Sequence, residues 1–404
     1  MKKRLESLDI LRGITVTFMC MVNNPGSWGH MYAPMKHAAW FGCTPTDLIY
    51  PFFIFCAGVA MAFSFSKYDG NAKAGVKKVI TRSIGIFLVG FLLNMYPFFP
   101  TDNGHFIFGW EEWKEWFAGK RIFGVLQRIA CAYLIAGLLV IWLKTPKKIG
   151  IAIGTLFVAY TAILVIFGTE PGPFTLEGTV SRKVDVALLG EGHVYHGYAY
   201  DFDWAKAQQI ADGTYTDDAH VVRRAAFDPE GPLGALPAAC SCLFGFLVGY
   251  LIKKTNKRRE EEPLAEKNSI TYMVCRIFAY GMICLGAGLL VGIWIPISKP
   301  LWSISYVMYA AGWAMIALAF LTFCIDVVGI KKVFSPFKVM GTNALMAFVL
   351  SALIAKSYQF IGGMPLREFY AQNNFTSFLH SCVFAIVIFC CLFPLYKKKI
   401  FIRL

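Results

Sequence analysis

Ten stretches of continuous apolar sequence alternate with polar segments along the chain: roughly 8–23, 46–65, 79–98, 122–143, 149–167, 234–252, 270–293, 302–325, 335–356 and 376–396. A helix needs about 20 residues to cross the ~30 Å hydrocarbon layer of a bilayer, so each stretch can span as one helix. The runs lack the alternation that barrel strands show, which argues against a membrane barrel. The pattern predicts an all-α polytopic membrane protein: a bundle of about ten transmembrane helices forming one domain over 1–404. A long polar loop, 168–233, is inserted between spans five and six.

The polar connections fall into two alternating sets. One set holds Met1–Arg4, Lys67–Lys78, Lys144–Lys148, Lys253–Lys267, Lys331–Lys332 and Lys397–Arg403, and every member is basic. The positive-inside bias places this set, and both termini, in the cytoplasm. The other set holds the Val22–Pro51 connection, 99–121, 168–233, Ile297–Leu301 and 357–375. The start of the chain, MKKR before an apolar run, looks like a signal peptide. Asp9 and Arg12 interrupt the run, and Asn23-Asn24-Pro25 follows where small cleavage-site residues are needed, so it is read as a retained first span.

Composition agrees with the pattern. Of 404 residues 57% are hydrophobic and 16% charged, against about 25% charged in soluble proteins. The net charge of +14 lies in the short basic connections and makes no continuous basic face, so nucleic acid is not an expected partner. Eleven of the twelve cysteines fall in apolar runs, only Cys43 lies in a loop, and no CxxC pair exists. Neither a disulfide framework nor a zinc site is expected; the cysteines read as small packing residues. The pair His193 and His196 lacks a placed third ligand, so no metal is expected.

Candidate chemistry concentrates in Val22–Pro51. This Gly-, Pro- and Asn-rich connection holds Lys36, His37, Trp40 and Asp47 between two apolar runs. His37 can take and return a proton near neutral pH, or carry an acyl group briefly. The plain alternative is an ordinary loop histidine at a membrane surface. In the long loop, aromatic residues interleave with acids around Asp201, Asp203 and Trp204. Aromatic faces can stack on sugar rings and carboxylates can hold a cationic amine, although a compact surface subdomain explains the same residues. Polar groups inside spans are costly and invite a functional reading: Asp9 with Arg12, Arg128 beside Gln127, and Asn343. Interhelical hydrogen bonding is the bland reading of each.

Several motifs in one order carry a resemblance. They are Leu8-Asp9-Ile10-Leu11-Arg12-Gly13-Ile14, Val22-Asn23, Lys36-His37-Ala38-Ala39-Trp40, Thr46-Asp47-Leu48-Ile49-Tyr50-Pro51 and Gly124-Val125-Leu126-Gln127-Arg128. Asp228-Pro229-Glu230-Gly231, Leu301-Trp302-Ser303-Ile304-Ser305-Tyr306-Val307 and Lys398-Lys399-Ile400-Phe401 follow. This set resembles the transmembrane heparan-α-glucosaminide N-acetyltransferase family and its bacterial homologues. The resemblance implies transfer of acetyl from cytosolic acetyl-CoA to the amine of glucosamine, or of a glycosaminoglycan fragment, across the membrane. It implies His37 as the active-site histidine and Asn23 as its neighbouring asparagine. Lys36, Trp40, Asp47, Asp201, Asp203 and Trp204 are then expected to meet the acceptor. Arg12, Lys77, Lys78, Arg82 and Lys338 on the inner side, with Arg128 and Asn343 in the spans, are expected to meet CoA. The gap between Asn23 and His37 is longer than the family's, and Ser351 stands where the animal enzyme has a histidine. Lumenal members carry an N-terminal extension ahead of the first span. This chain opens on that span, which leads to the expectation of a bacterial inner-membrane protein. Membrane lipid and a second copy of the chain are further expected partners. Two rivals stand beside this reading: an envelope polysaccharide O-acetyltransferase, and a solute transporter, which ought to show paired broken helices.

Overall fold

The computed structural model describes residues 6–68, 70–102, 104–199 and 224–402. All ten apolar stretches are helical. They are α1 (Glu6–Val22), α2 (Pro45–Ser64) and α3 (Ala72–Met95), then, past a short helix α4 (Trp110–Ala118), α5 (Val125–Leu143) and α6 (Pro146–Phe167). After α7 (Val180–Leu189), inside the long loop, come α8 (Ala235–Glu261), α9 (Ile270–Val291), α10 (Ile304–Thr322), α11 (Ser335–Thr342), α12 (Ala344–Ser357) and α13 (Asn374–Lys397). Two small antiparallel hairpins, Thr101–Asp102 with His105–Phe106 and Tyr198–Ala199 with Arg224–Ala225, complete the connections. The chain is an all-α polytopic membrane protein.

The spans are less uniform than the sequence predicts. Among the described residues seven helices are long and apolar enough to cross a membrane unaided, and α11 with α12 makes an eighth as a bent pair. The expected ninth span is therefore broken, by 81° at Asn343. At 17 residues, α1 extends about 26 Å, short of a full crossing. In α3, Lys73, Lys77, Lys78 and Arg82 occupy the opening turns and lower its apolar character.

Burial sorts the helices. In α8, 72% of the apolar window is buried, against 22% in α6, so α8 runs through the centre and α6 forms the rim. Small residues bring α8 close to α2: a methyl group on Gly245 would lie 2.0 Å from the Phe55 carbonyl oxygen, and one on Gly58 1.8 Å from that of Cys242. Without a hydrophobic drive between helices in lipid, such close backbone contact supplies the attraction.

The five connections without a basic bias meet at one end. Gly42 N–H donates to Ile297 O at 2.7 Å, Gly26 N–H to Ser377 O at 3.2 Å, and Trp40 Nε1–H to Phe174 O at 2.8 Å. Arg121 bridges to Asp228 at 2.6 Å. At the other end Lys338 and Lys331 pair with Glu6, and Asn343 holds the chain end through Ile400 O and Ile402 N–H, 3.0 Å each.

Candidate active site

The connection after α1 is tied down onto the first turn of α2. The Thr44 hydroxyl donates to Lys36 O at 2.7 Å, and the Thr46 hydroxyl to Pro34 O at 2.9 Å. Asp47 sits in the first turn of α2, where backbone N–H groups lack helical partners and a carboxylate is favoured. Its Oδ2 accepts from Ala38 N–H and Thr44 N–H at 3.0 Å each. Its Oδ1 lies 2.7 Å from His37 Nδ1 and 3.2 Å from Lys299 Nζ. Lys299 Nζ is in turn 3.0 Å from His37 Nδ1.

This triangle fixes the imidazole. An ammonium group only donates and an ionised carboxylate only accepts. Proton on Nδ1, donated to Asp47, leaves Nε2 as a free base; a lone pair on Nδ1, facing Lys299, puts the proton on Nε2. The shorter contact is to Asp47, and Lys299 has the Asp47 oxygen as its own acceptor, so the Nδ1–H form is favoured. The His37 side chain is 47% exposed, whereas that of Asp47 is 1% exposed. A half-open base on a buried orienting acid is the arrangement proton transfer needs.

Asn23 lines the same cavity as His37. Its walls come from α1 (Met19, Val22), α2 (Ile49, Tyr50, Phe53), α5 (Leu126, Ile129) and α12 (Leu345, Phe348), closed by Glu230 and Lys299. The turn carrying Asn23 is held by α13: His380 Nδ1 and the Ser381 hydroxyl both contact Asn24 O, at 3.0 and 3.3 Å. The Tyr50 hydroxyl donates to Val125 O at 3.0 Å, and the Tyr306 hydroxyl to Asp47 O at 2.6 Å.

The expected acceptor residues separate. Asp47 orients His37 rather than lining the cavity, and Lys36 is exposed on the loop. Trp40 is an anchor, packing edge-on against Tyr198 and Phe227 with ring centroids 5.5 and 5.2 Å apart. Asp201, Asp203 and Trp204 lie outside the described residues. The expected donor residues also scatter. Arg12 bonds Asp9 and Cys56 O, both at 3.3 Å, Lys338 pairs with Glu6, and Arg82 sits over the Tyr133 ring. Lys77 and Lys78 are exposed. Asn343 caps the break between α11 and α12 at the far end. Arg128, grouped with these from sequence, stands instead near the His37 end, its Nη2 donating to Gly231 O at 3.0 Å and its guanidinium 5.3 Å from the Trp302 ring.

Sequence reasoning passed over Lys299 and Arg121. For Lys299 a signal was present: it is a basic residue in a five-residue connection of the set without a basic bias. Glu230 enters the sequence reading only within the motif Asp228-Pro229-Glu230-Gly231, with no role; its place in the cavity depends on Arg121, whose guanidinium bonds both it and Asp228.

Behind this wall Asp185 is 1% exposed. Its Oδ2 accepts from Asp228 N–H at 3.0 Å, while Oδ1 has no hydrogen-bond partner among the described residues. Burial, reinforced by the Asp228 charge, pushes its carboxyl up to about 7. The folded state thus binds a proton that the unfolded chain releases near pH 4, and stability falls as pH rises between those values. The melting temperature of purified protein should drop from pH 5 to pH 8, on the order of a few kcal/mol of stability. In Asp185→Asn that slope should flatten; an unchanged slope refutes the assignment.

Residues 4–181, which include His37, Asn23 and Asp47, match the catalytic family of heparan-alpha-glucosaminide N-acetyltransferase. Along 98% of its length the chain is 22% identical to heparan-alpha-glucosaminide N-acetyltransferase of Mus musculus and 24% identical to that of Homo sapiens. It spans 60% and 59% of those two proteins. The family match over residues 4–181 and the two alignments along 98% of the chain make it similar to the heparan-α-glucosaminide N-acetyltransferases.

Proposed function

We propose that the protein transfers acetyl from acetyl-CoA to the amine of glucosamine, or of a glucosamine-containing saccharide, at the His37 end of the bundle. The observation that carries this reading is one cavity holding His37, oriented by Asp47, together with Asn23. The names of the mouse and human relatives supply the acceptor class.

The chemistry follows from the geometry. A neutral amine that attacks a thioester must shed a proton as the C–N bond forms, and Nε2 of His37 is the base that takes it. As the C–N bond forms, charge gathers on the carbonyl oxygen. The Asn23 amide is a donor suited to that oxygen, a role worth about 2.7–4 kcal/mol in other acyl-transfer enzymes. The C–S bond then breaks and the imidazolium returns its proton to the departing thiolate. Attack by His37 itself, giving an acetyl-imidazole and ping-pong kinetics, uses the same residues. The apolar walls from Phe53, Ile129 and Phe348 suit an uncharged acyl arm. The exposed Lys77 and Lys78, at the start of α3, have no ion-pair partner among the described residues and are the cations of the expected donor set best placed for CoA phosphates.

Sidedness is part of the proposal: the basic end faces the cytosol and the His37 end the outer compartment. Single cysteines at Gly192 and Lys257, in a cysteine-free background, should react with an impermeant maleimide from opposite sides of sealed vesicles. The decisive assay is radiolabelled acetyl transfer in such vesicles. Label moving from luminally or externally trapped acetyl-CoA to glucosamine on the opposite side supports the reading. Label appearing only on polysaccharide hydroxyls, or none on any acceptor, defeats it.

The bend at Asn343 is the feature a transporter reading wants, but such folds use paired broken helices around a midplane site. Among the described residues only one bent pair occurs, and Asn343 spends its amide on the chain end.

A further inference from the structure

Besides the Tyr50 phenol, three ionisable groups line the cavity: His37, Lys299 and Glu230. Lys299 is committed to Asp47. Glu230 is paired too, with Arg121 through Oε2, but no hydrogen bond to its Oε1 occurs among the described residues. It reaches the cavity from the long loop, in a wall otherwise built by Tyr50, Val125, Leu126 and Ile129. Its side chain is 11% exposed, and the Arg121 guanidinium bonds its Oε2. Its N–H donates to Asp228 Oδ1 at 2.9 Å, which fixes the backbone beneath it. Burial alone would raise its carboxyl, but the Arg121 and Arg128 charges outweigh burial and hold it below the usual range. The cavity that holds the base therefore also carries an ionised carboxylate in a mostly apolar lining, where a charge-charge contact is stronger than in water.

A hydroxyl acceptor has no use for such a group, since it arrives neutral. An aliphatic amine arrives largely as an ammonium near neutral pH, and a charge-assisted hydrogen bond to a carboxylate is roughly twice as strong as a neutral one. We infer that Glu230 is the specificity residue for the acceptor, binding its ammonium group and selecting an amino sugar over a neutral sugar. The inference rests on the acetyl-transfer reading above and adds to it which residue recognises the acceptor. Glu230 lies outside the segment 4–181 that matches the family.

The proton balance is consistent with this role. The bound ammonium loses one proton to water through the open His37 side of the cavity. The resulting amine attacks the thioester carbon, and its second proton passes through Nε2 of His37 to the thiolate as the C–S bond breaks. The amide product is neutral and no longer pairs with the carboxylate, which favours release. Glu230 stays ionised throughout and binds without acting as the base.

The test uses the full chain in detergent or vesicles, with radiolabelled acetyl-CoA and glucosamine or glucose as acceptor. Glu230→Gln keeps the shape and an oxygen for Arg121. It should raise KM for glucosamine roughly tenfold or more, leave kcat within about threefold, and leave KM for acetyl-CoA unchanged. A folded Glu230→Gln protein with an unaltered glucosamine KM overturns the assignment while leaving the acetyl-transfer reading standing. Wild-type transfer to glucose but not to glucosamine overturns both. Should the variant fail to fold, calorimetry on wild-type protein decides. Glucosamine binding at least tenfold tighter than glucose, weakened by salt, supports the inference, and equal binding of the two removes it.

Discussion

His37→Ala should transfer acetyl to glucosamine at least ~10²–10⁴-fold more slowly than wild type, the range typical of losing a positioned base. The variant should still fold and insert. His37 is half exposed on a connection whose shape is set by other contacts: Thr44 to Lys36 O, Thr46 to Pro34 O and Ala38 N–H to Asp47. Its loss leaves Asp47 with Lys299 as counter-charge, so no buried carboxylate is stranded. Acetyl-CoA binding should largely persist, because the expected phosphate contacts, Lys77 and Lys78, are at the start of α3 and far in sequence from this loop. A matched elution profile and melting temperature, read alongside the rate, separate chemistry from misfolding. If purified His37→Ala ran near the wild-type rate, both the base and the acetyl-imidazole mechanisms would fail together.

The helices were legible because each is a long apolar run, and hydrophobic length is a local property. What those runs could not reveal was geometry at Asn343. Gly341-Thr342-Asn343 sits inside an apolar stretch, and the break becomes visible only when Asn343 is seen bonding Ile400 and Ile402. The site divides the same way. His37 and Asn23 are legible because a titratable side chain lies in a short connection just after the first span and the motif order points to both. Asp47 is grouped with acceptor contacts, since the nine intervening residues give no sign that its carboxylate folds back onto His37. Trp40 shows a related limit: an aromatic near the His37 connection suits a sugar, and sequence gives no sign that its N–H donates to Phe174 O. Arg128 is grouped with cofactor contacts as a polar residue inside a span and a member of the motif set, whereas its position one turn into α5 puts it beside Gly231. Lys299 and Glu230 are 262 and 193 residues from His37 in sequence, and only tertiary packing brings them to one cavity.

Asp47→Asn is the second variant expected to have a large effect, and it tests the orientation of the base rather than its presence. The carboxylate accepts from His37 Nδ1 and Lys299 at Oδ1 and from Ala38 and Thr44 N–H at Oδ2. An amide keeps only one acceptor oxygen. The two backbone donors at 3.0 Å hold that oxygen at the Oδ2 position, so the NH2 group turns toward His37. A donor now faces Nδ1, as Lys299 already does at 3.0 Å, and the ring answers by moving its proton to Nε2. The base is then blocked at the atom that must receive the acceptor's proton. The expected result is a fall in kcat of ~10²–10⁴-fold with little change in either KM, the signature of a wrong tautomer rather than lost binding. Nitrogen-15 shifts of the labelled His37 ring read the tautomer directly and should switch from Nδ1–H to Nε2–H. A folded Asp47→Asn protein within threefold of the wild-type kcat, with the ring still protonated at Nδ1, would show that Asp47 serves only to cap α2.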